Sequence, residues 1–292
     1  MSVTFALPPE LSADRPPESR GLRRDEVRLL VADDRAVWHA RFRDLGRFLN
    51  PGDLVVVNTS GTLAAAVHAG AVVLHFSAPL DDGTWVVEVR RPDQSGPVRD
   101  AVAGSVLRGR WPLSAYQTVF AREPGSAEMP SAGRPFTAEL VTGLVSAGVA
   151  VAPITLHTGV SSLDSGEPPQ PERFRVPEHT ASLVGWARAH GGRVVAVGTT
   201  AARALESATR PDGSVGAGSG WTDLVLGPER PARVVTGLVT GLHEPEASHL
   251  LLLEAVAGRE LVQRAYDAAV QNRYLWHEFG DSCLLLPASP MG

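Results

Sequence analysis

The stretch from Arg193 to Ser207 restricts the fold of this chain more than any other. It reads Arg-Val-Val-Ala-Val, then Gly198-Thr199-Thr200, then Ala-Ala-Arg-Ala-Leu-Glu-Ser. The short β-branched run suits a strand buried on both faces, and the alanine-rich run suits a helix. Thr199 or Thr200 is expected to cap that helix, leaving backbone N–H groups free for an anion. In open α/β sheets, ligands collect at such turns at the carboxyl ends of strands. An ordinary capped helix with nothing bound would satisfy the same pattern.

Three more apolar runs stop at polar turns. Leu54–Val57 ends at Asn58-Thr59-Ser60-Gly61, Val149–Leu156 at His157-Thr158-Gly159, and Val234–Leu242 at His243-Glu244-Pro245-Glu246. If the four strands are parallel neighbours, their turns share one edge of one sheet, where a site would form. His157 and His243 then become potential proton-transfer groups. Glu206, Glu244, Glu246 and Asp281 supply carboxylates that a cation or an amine could use. Each of these residues taken alone also reads as a structural histidine or as surface charge.

The rest of the chain falls into place around these units. Glu26–Asp33 and Ala36–His39 read as a hairpin, and Phe42, Leu45, Phe48 and Leu49 recur at helical spacing. From Leu63 the texture changes to short β-rich runs: Ala71–Phe76, Trp85–Arg90, Val102–Leu107 and Tyr116–Phe120, separated by turn residues. Trp85, Val87 and Val89 alternate with Val86, Glu88 and Arg90, as on a half-buried strand. Thr137 is placed to cap a helix over Ala138–Ala147, and a second helix starts at Pro177 and ends at Gly191-Gly192. Residues 161–172 read as a loop, as does the Gly/Ser-rich segment from Asp212 to Gly220, expected to be highly mobile. Trp221–Leu226 follows as a short strand. Ser248 opens a very apolar helix, a second helix follows, and the chain closes with strand Cys283–Leu286. The expected architecture is a large α/β domain built from residues 1–61 and 121–292, interrupted by a small β-barrel-like domain over 62–120.

Composition narrows the chemistry. All 27 basic residues of the 292 are Arg, which excludes a Schiff-base lysine, a pyridoxal phosphate anchor and a P-loop lysine. One cysteine, Cys283, excludes an internal disulfide framework and a cysteine-clustered metal site. The six-residue spacing of His243 and His249 does not align on one helix face, and no metal is expected. The formal net charge of −5 disfavours broad nonspecific nucleic-acid binding. Arg20, Arg23, Arg24 and Arg28 still form one local basic cluster, and Arg41, Arg43 and Arg47 another. No apolar run reaches the roughly 20 residues of a membrane span, and the N-terminus lacks a signal-peptide pattern, so a cytoplasmic location is expected.

An ordered set of motifs resembles one family over most of the chain. Phe5-Ala6-Leu7-Pro8, His39, Phe42, Asp44-Leu45, Pro51-Gly52-Asp53-Leu54 and Asn58 come first. Tyr116-Gln117-Thr118-Val119-Phe120, Pro130-Ser131-Ala132-Gly133, Phe136-Thr137 and Thr155-Leu156-His157-Thr158-Gly159 follow. Then come Val197-Gly198-Thr199-Thr200 with Arg203, Leu205, Glu206 and Ser207; Gly220-Trp221-Thr222-Asp223; Leu242-His243 with Pro245 and Ser248; Ala255 with Ala257-Gly258; and Phe279-Gly280-Asp281. The set is similar to that of the S-adenosylmethionine:tRNA ribosyltransferase-isomerases of queuosine biosynthesis. The resemblance implies an α/β domain interrupted by a small β-barrel. It also implies a reaction in which S-adenosylmethionine donates its ribosyl part to the 7-aminomethyl-7-deazaguanine base of a tRNA, releasing adenine and methionine. The resemblance fixes positions rather than roles; on residue chemistry, His157, His243 and Glu206 are the expected catalytic residues. Asn58, Gly198, Thr199, Thr200, Arg203, Ser248 and Asp281 are the expected contacts to S-adenosylmethionine, the co-substrate, with no metal, no membrane and no obligate protein partner.

The chain departs from the family pattern in places. It has Asn58-Thr59-Ser60-Gly61 for the family's Asn-Asp-Thr-Arg, Pro135 for a histidine, a rewritten Ser161–Gly166 and Gly241-Leu242 for Asn-Phe. The proline-rich loop before Tyr116 shrinks to Pro112-Leu113. The donor-side turn is kept and the acceptor side is reduced. Two alternatives therefore stand beside the tRNA reading: a relative with a small-molecule acceptor, and a non-catalytic S-adenosylmethionine-binding protein.

Overall fold

Period-two alternation along the apolar strands makes a sheet buried on both faces. Leu54 and Val56 join one hydrophobic cluster while Val55 and Val57 join another. Val194 and Ala196 part in the same way from Val195 and Val197, and Leu30 and Ala32 from Leu29 and Val31. The computed structural model describes residues 3–90, 111–160, 170–245 and 247–288.

In chain order the strands are β1 (Arg28–Asp33), β2 (Val37–Arg41), β3 (Leu54–Asn58), β4 (Ser60–Thr62), β5 (Ala66–Ala69), β6 (Val72–Pro79), β7 (Trp85–Arg90) and β8 (Glu123–Ser126). They continue as β9 (Ala150–Leu156), β10 (Glu172–Val176), β11 (Val194–Val197), β12 (Gly218–Thr222), β13 (Gly237–Gly241) and β14 (Ser282–Leu286). The α-helices are α1 (Ala138–Ser146), α2 (Glu178–Ala189), α3 (Gly198–Ser207), α4 (His249–Ala257) and α5 (Arg259–Gln271).

Nine strands form one mixed sheet in the order β12-β10-β9-β3-β11-β13-β14-β1-β2. The four strands singled out in the sequence, β9, β3, β11 and β13, are consecutive and parallel. Helices α2, α3, α4 and α5 contribute Val184, Leu205, Leu253 and Val262 to the core on one face. On the other face, Leu144 of α1 packs with Phe42, Leu45 and Phe136. The β1–β2 hairpin forms as expected, its turn held by Asp33 Oδ1, which accepts from the amides of Arg35 and Ala36 at 2.8 and 2.9 Å. Phe42–Phe48 is a 3-10 helix.

Between β3 and β9 the chain leaves the large sheet. β5, β6 and β7 make an antiparallel three-stranded sheet, and β4 pairs in parallel with β8 at its root. Trp85, Val87 and Val89 are on the exposed side of β7 among the described residues. The expected strand Val102–Leu107 lies outside the described residues.

Three local expectations are corrected. Tyr116–Phe120 is not a strand; a 3-10 turn, Leu113–Tyr116, precedes it, and the Gln117 side chain takes over the pairing. Its Oε1 accepts from the Thr62 amide at 3.1 Å and its Nε2 donates to the Thr62 carbonyl at 2.8 Å. Gly218–Gly220 belongs to an edge strand rather than a mobile loop. Main-chain ladder bonds to β10 need no side chain, so glycine can supply them. Finally, neither threonine caps α3. The helix starts at Gly198, whose φ of +87° only glycine adopts readily, and Thr200 Oγ1 accepts from Asn58 Nδ2 at 3.2 Å instead.

Candidate functional site

The parallel run of β9, β3, β11 and β13 brings Asn58, His157, Gly198–Thr200 and His243 to one edge of the sheet. Two antiparallel neighbours add residues at strand starts: Asp281, which the sequence had already singled out, and Glu172, which it had not. β14 pairs Ser282 with Gly241 of β13, which sets Asp281 at the same edge. β10 pairs Phe174 with Leu156 of β9, which sets Glu172 there as well.

Asn58 is buried and fully used. Its Oδ1 accepts from the amides of Ser60 and Leu156, both at 3.0 Å, and its Nδ2 donates to the Leu156 carbonyl at 2.8 Å. This residue therefore ties β3 to β9 and, through Thr200, to the start of α3. That start carries no side-chain cap, so its first amides face the edge unclaimed by the helix itself. Next to it, His157 is half-buried, and burial pulls its pKa below the ordinary histidine value. Its Nδ1 lies 2.8 Å from Ser60 Oγ, which in turn lies 2.6 Å from Ser126 Oγ.

Arg203 and Glu172 form a buried ion pair. Arg203 Nε also donates to the Leu224 carbonyl at 3.1 Å and Nη2 to that of Thr222 at 3.3 Å. Burial pushes the Glu172 carboxyl up, and Arg203 opposes that push. The guanidinium thus has its partners in the protein, and Arg203 locks α3 to β10 and to the segment after β12. Glu206 is placed away from the edge, at the far end of α3. Its buried carboxylate accepts from the amides of Arg233, Val234 and Val235 at 2.9–3.0 Å, where the chain approaches the start of β13. A carboxylate with three backbone donors is a structural clamp, so the structure does not bring Glu206 into a catalytic constellation.

The His243 ring stacks on His249 at 4.7 Å between centroids, and its Nε2 lies 2.9 Å from Thr240 Oγ1. Burial first, then the neighbouring His249 and His277, pulls its pKa well below the ordinary value, leaving the ring neutral. Its carbonyl accepts from Trp276 Nε1 at 2.9 Å. Asp281 accepts from the amides of Arg28 and Leu275, each at 2.8 Å, and is committed to holding the Leu275–Asp281 loop. Ser248 is exposed at the start of α4 and makes no cap bond. Glu246 lies outside the described residues.

The same loop delivers a group that the sequence reading overlooked. Glu278 is pushed up to about 7 by burial and then by the nearby Glu128, with His277 and Arg134 opposing. Glu128 also acts electrostatically on Glu172 and on His277. His277 lies 3.5 Å from Glu244, whose hydrogen bond raises its pKa. The edge therefore collects the carboxylates Glu128, Glu172, Glu244 and Glu278 around the neutral rings of His157 and His243. A sequence signal existed in Glu244 and in His277-Glu278, but only the loop's return beside β13 gives it meaning.

Away from the edge, much of the arginine clusters is neutralised by pairing: Arg23 with Asp25, Arg24 with Glu18 and Arg43 with Glu26. Arg28 lies over the Tyr274 ring, 3.7 Å from its centroid. Among the described residues, no group of three His, Cys, Asp or Glu side chains could hold a metal, and no helix is long and apolar enough to cross a membrane.

The chain matches a family model described as a queuosine biosynthesis protein over residues 1–99 and 96–285. It is 34% identical to an S-adenosylmethionine:tRNA ribosyltransferase-isomerase of Symbiobacterium thermophilum, over 97% of this chain and 98% of that protein. It is 36% identical to the protein of that name from Rubrobacter xylanophilus, over 97% and 96%. Among solved structures it resembles an S-adenosylmethionine tRNA ribosyltransferase from Thermotoga maritima, with a TM-score of 0.63 and 31% identity, over 97% of this chain and 99% of that one.

Proposed function

This chain belongs to the queuosine biosynthesis family of ribosyltransferase-isomerases, and from that membership we propose that it cleaves S-adenosylmethionine and transfers and isomerises its ribosyl part onto an aminomethyl-deazaguanine base of tRNA, releasing adenine and methionine. The observation that carries this reading is the convergence at one sheet edge of the open start of α3, two neutral histidines and the carboxylates of Glu128, Glu244 and Glu278, with Glu172 already paired to Arg203. The donor is a sulfonium cation and the acceptor an amine, and carboxylates attract both. The donor's own carboxylate suits the first-turn amides of α3, at Gly198, Thr199 and Thr200, which also carry the helix's partial positive charge. Arg203 supports that turn through its pairing with Glu172 rather than by reaching the ligand. Asn58 and Asp281 hold the loops that shape the edge.

Removal of a proton beside the sulfonium needs a base, and Glu278 is the group we assign to it. A carboxyl with a pKa near the working pH is suited to accept a proton. Adenine release should rise with pH through about 7 as Glu278 ionises. Glu278→Gln should flatten that limb and slow the reaction by about 10²–10⁴-fold. A Gln variant with the wild-type pH profile would remove Glu278 from the role.

The reaction itself is tested by following adenine chromatographically, with S-adenosylmethionine and with or without tRNA bearing the aminomethyl-deazaguanine. Adenine only in the presence of that tRNA is the expected result. Adenine without it would favour the small-molecule acceptor suggested by the reduced acceptor-side motifs. No adenine under any condition, with the donor bound, would favour the non-catalytic reading.

A further inference from the structure

The hydroxyl hydrogens of two buried serines fix the tautomer of the His157 ring. Ser126 is buried, and its Oγ accepts from the Thr158 amide at 2.9 Å. Among the described residues, the only acceptor for its own hydroxyl hydrogen is Ser60 Oγ, at 2.6 Å. Ser60 is equally buried, and its Oγ has two neighbours, Ser126 Oγ and His157 Nδ1. Having accepted from Ser126, the Ser60 hydroxyl must donate to the ring. One hydrogen bond cannot contain two donors, so Nδ1 is an acceptor and the ring's single proton sits on Nε2.

We propose that the Ser126–Ser60 relay holds His157 as a neutral Nε2–H donor aimed at the ligand, so that His157 stabilises negative charge developing on the departing base and is not the general base. This deepens the reading of the reaction given above and rests on it for the identity of the ligand. Ser60 and Ser126 are positioning residues. Three features fix the ring. The backbone amide of Ser60 is held by Asn58 Oδ1 at 3.0 Å, which anchors β4 where the hydroxyl originates. The amide of His157 donates to the Arg173 carbonyl at 2.9 Å. Gly125 supplies the floor: a Cβ at this position would lie 2.8 Å from the ring's Cγ, with Nδ1 and Cε1 nearer still. No protein group among the described residues pairs with Nε2, and that atom is not enclosed without a partner, so it remains available at the edge. A protonated ring would carry hydrogens on both nitrogens and would set Nδ1–H against the Ser60 hydroxyl. This opposes protonation in the same direction as burial. The charged groups acting on the ring are Glu123 of β8 and Arg173 and Arg175 of β10. The Glu123 carboxylate is itself paired with Arg175 and accepts from Thr155 Oγ1.

The test is a pH titration of ¹⁵N-histidine-labelled full-length protein by NMR, with His157 assigned through His157→Gln. In the wild type, the expected signature is a pyridine-type Nδ1 and a pyrrole-type Nε2 throughout the neutral range. Ser60→Ala removes the donor to Nδ1. Its His157 nitrogens should move to averaged values as the second tautomer is admitted, and its titration midpoint should rise toward the ordinary value. Ser60→Thr keeps a hydroxyl and should restore the wild-type signature. Adenine release should fall about 10–100-fold in Ser60→Ala and recover in Ser60→Thr. A wild-type ring protonated on Nδ1 would overturn the proposal. So would a titration midpoint shared by the wild type and Ser60→Ala. These signals need no turnover: the expected tautomer in a protein that releases no adenine would support the relay while removing the proposed reaction.

Discussion

Arg203→Ala is expected to destabilise the fold by about 3–5 kcal/mol, because it leaves the Glu172 carboxylate buried without its partner. The arginine also serves the carbonyls of Leu224 and Thr222, so its loss strands two more polar groups at the junction of α3 with the β12 side of the sheet. The effect should depend on pH with a definite sign. In the variant nothing opposes the burial that already pushes Glu172 up, so its folded pKa lies further above its unfolded one. Folding then favours the protonated acid, and the variant loses stability as pH rises from the unfolded value through the folded one. Urea unfolding at acidic and neutral pH measures this, and the Arg203→Ala/Glu172→Gln double variant should recover part of the loss. A loss below about 1 kcal/mol would mean that the pair behaves like the exposed Arg175–Glu123 contact, for which a value in that range is ordinary.

His157→Ala should lower adenine release by about 10²–10³-fold, the usual consequence of deleting one preorganised donor to developing charge. The loss should appear in kcat, with KM for S-adenosylmethionine little changed, if the hydrogen bond strengthens only as the base departs. Stability should fall by about 1–3 kcal/mol, since the buried Ser60 hydroxyl loses its acceptor at Nδ1. His157→Gln keeps an N–H donor and should retain part of the rate. An unchanged rate in His157→Ala would remove this residue from the reaction.

The strand–turn–helix unit at Arg193–Ser207 and its three companions were legible because each element is encoded by neighbours in sequence. β-branched runs, a glycine at positive φ and alanine-rich helical spacing act over a few residues. From these, the shared sheet edge and the presence of His157, Asn58, Gly198 and His243 on it followed once the strands were taken as parallel neighbours. The roles of Arg203 and Glu206 did not follow. Both sit on α3 within three residues of each other, and both are charged, yet one faces Glu172 at the start of β10 and the other faces the amides of 233–235. Nothing local separates a ligand-binding arginine from one that is already paired.

Glu278 illustrates the same limit from the other side. The motif Phe279-Gly280-Asp281 stands out in the sequence and Glu278 beside it does not; its raised pKa comes from burial and from Glu128, a residue far away along the chain. Sequence alone therefore determined the principal strands and helices, the layered α/β plan and the edge at which chemistry is possible, because backbone preference and hydrophobic period are local properties. The tertiary structure alone decided which charged groups at that edge are consumed by one another and which remain for a ligand. That outcome depends on strand order and direction, on β10 running against β9 and β14 against β13, and on the low dielectric those contacts create.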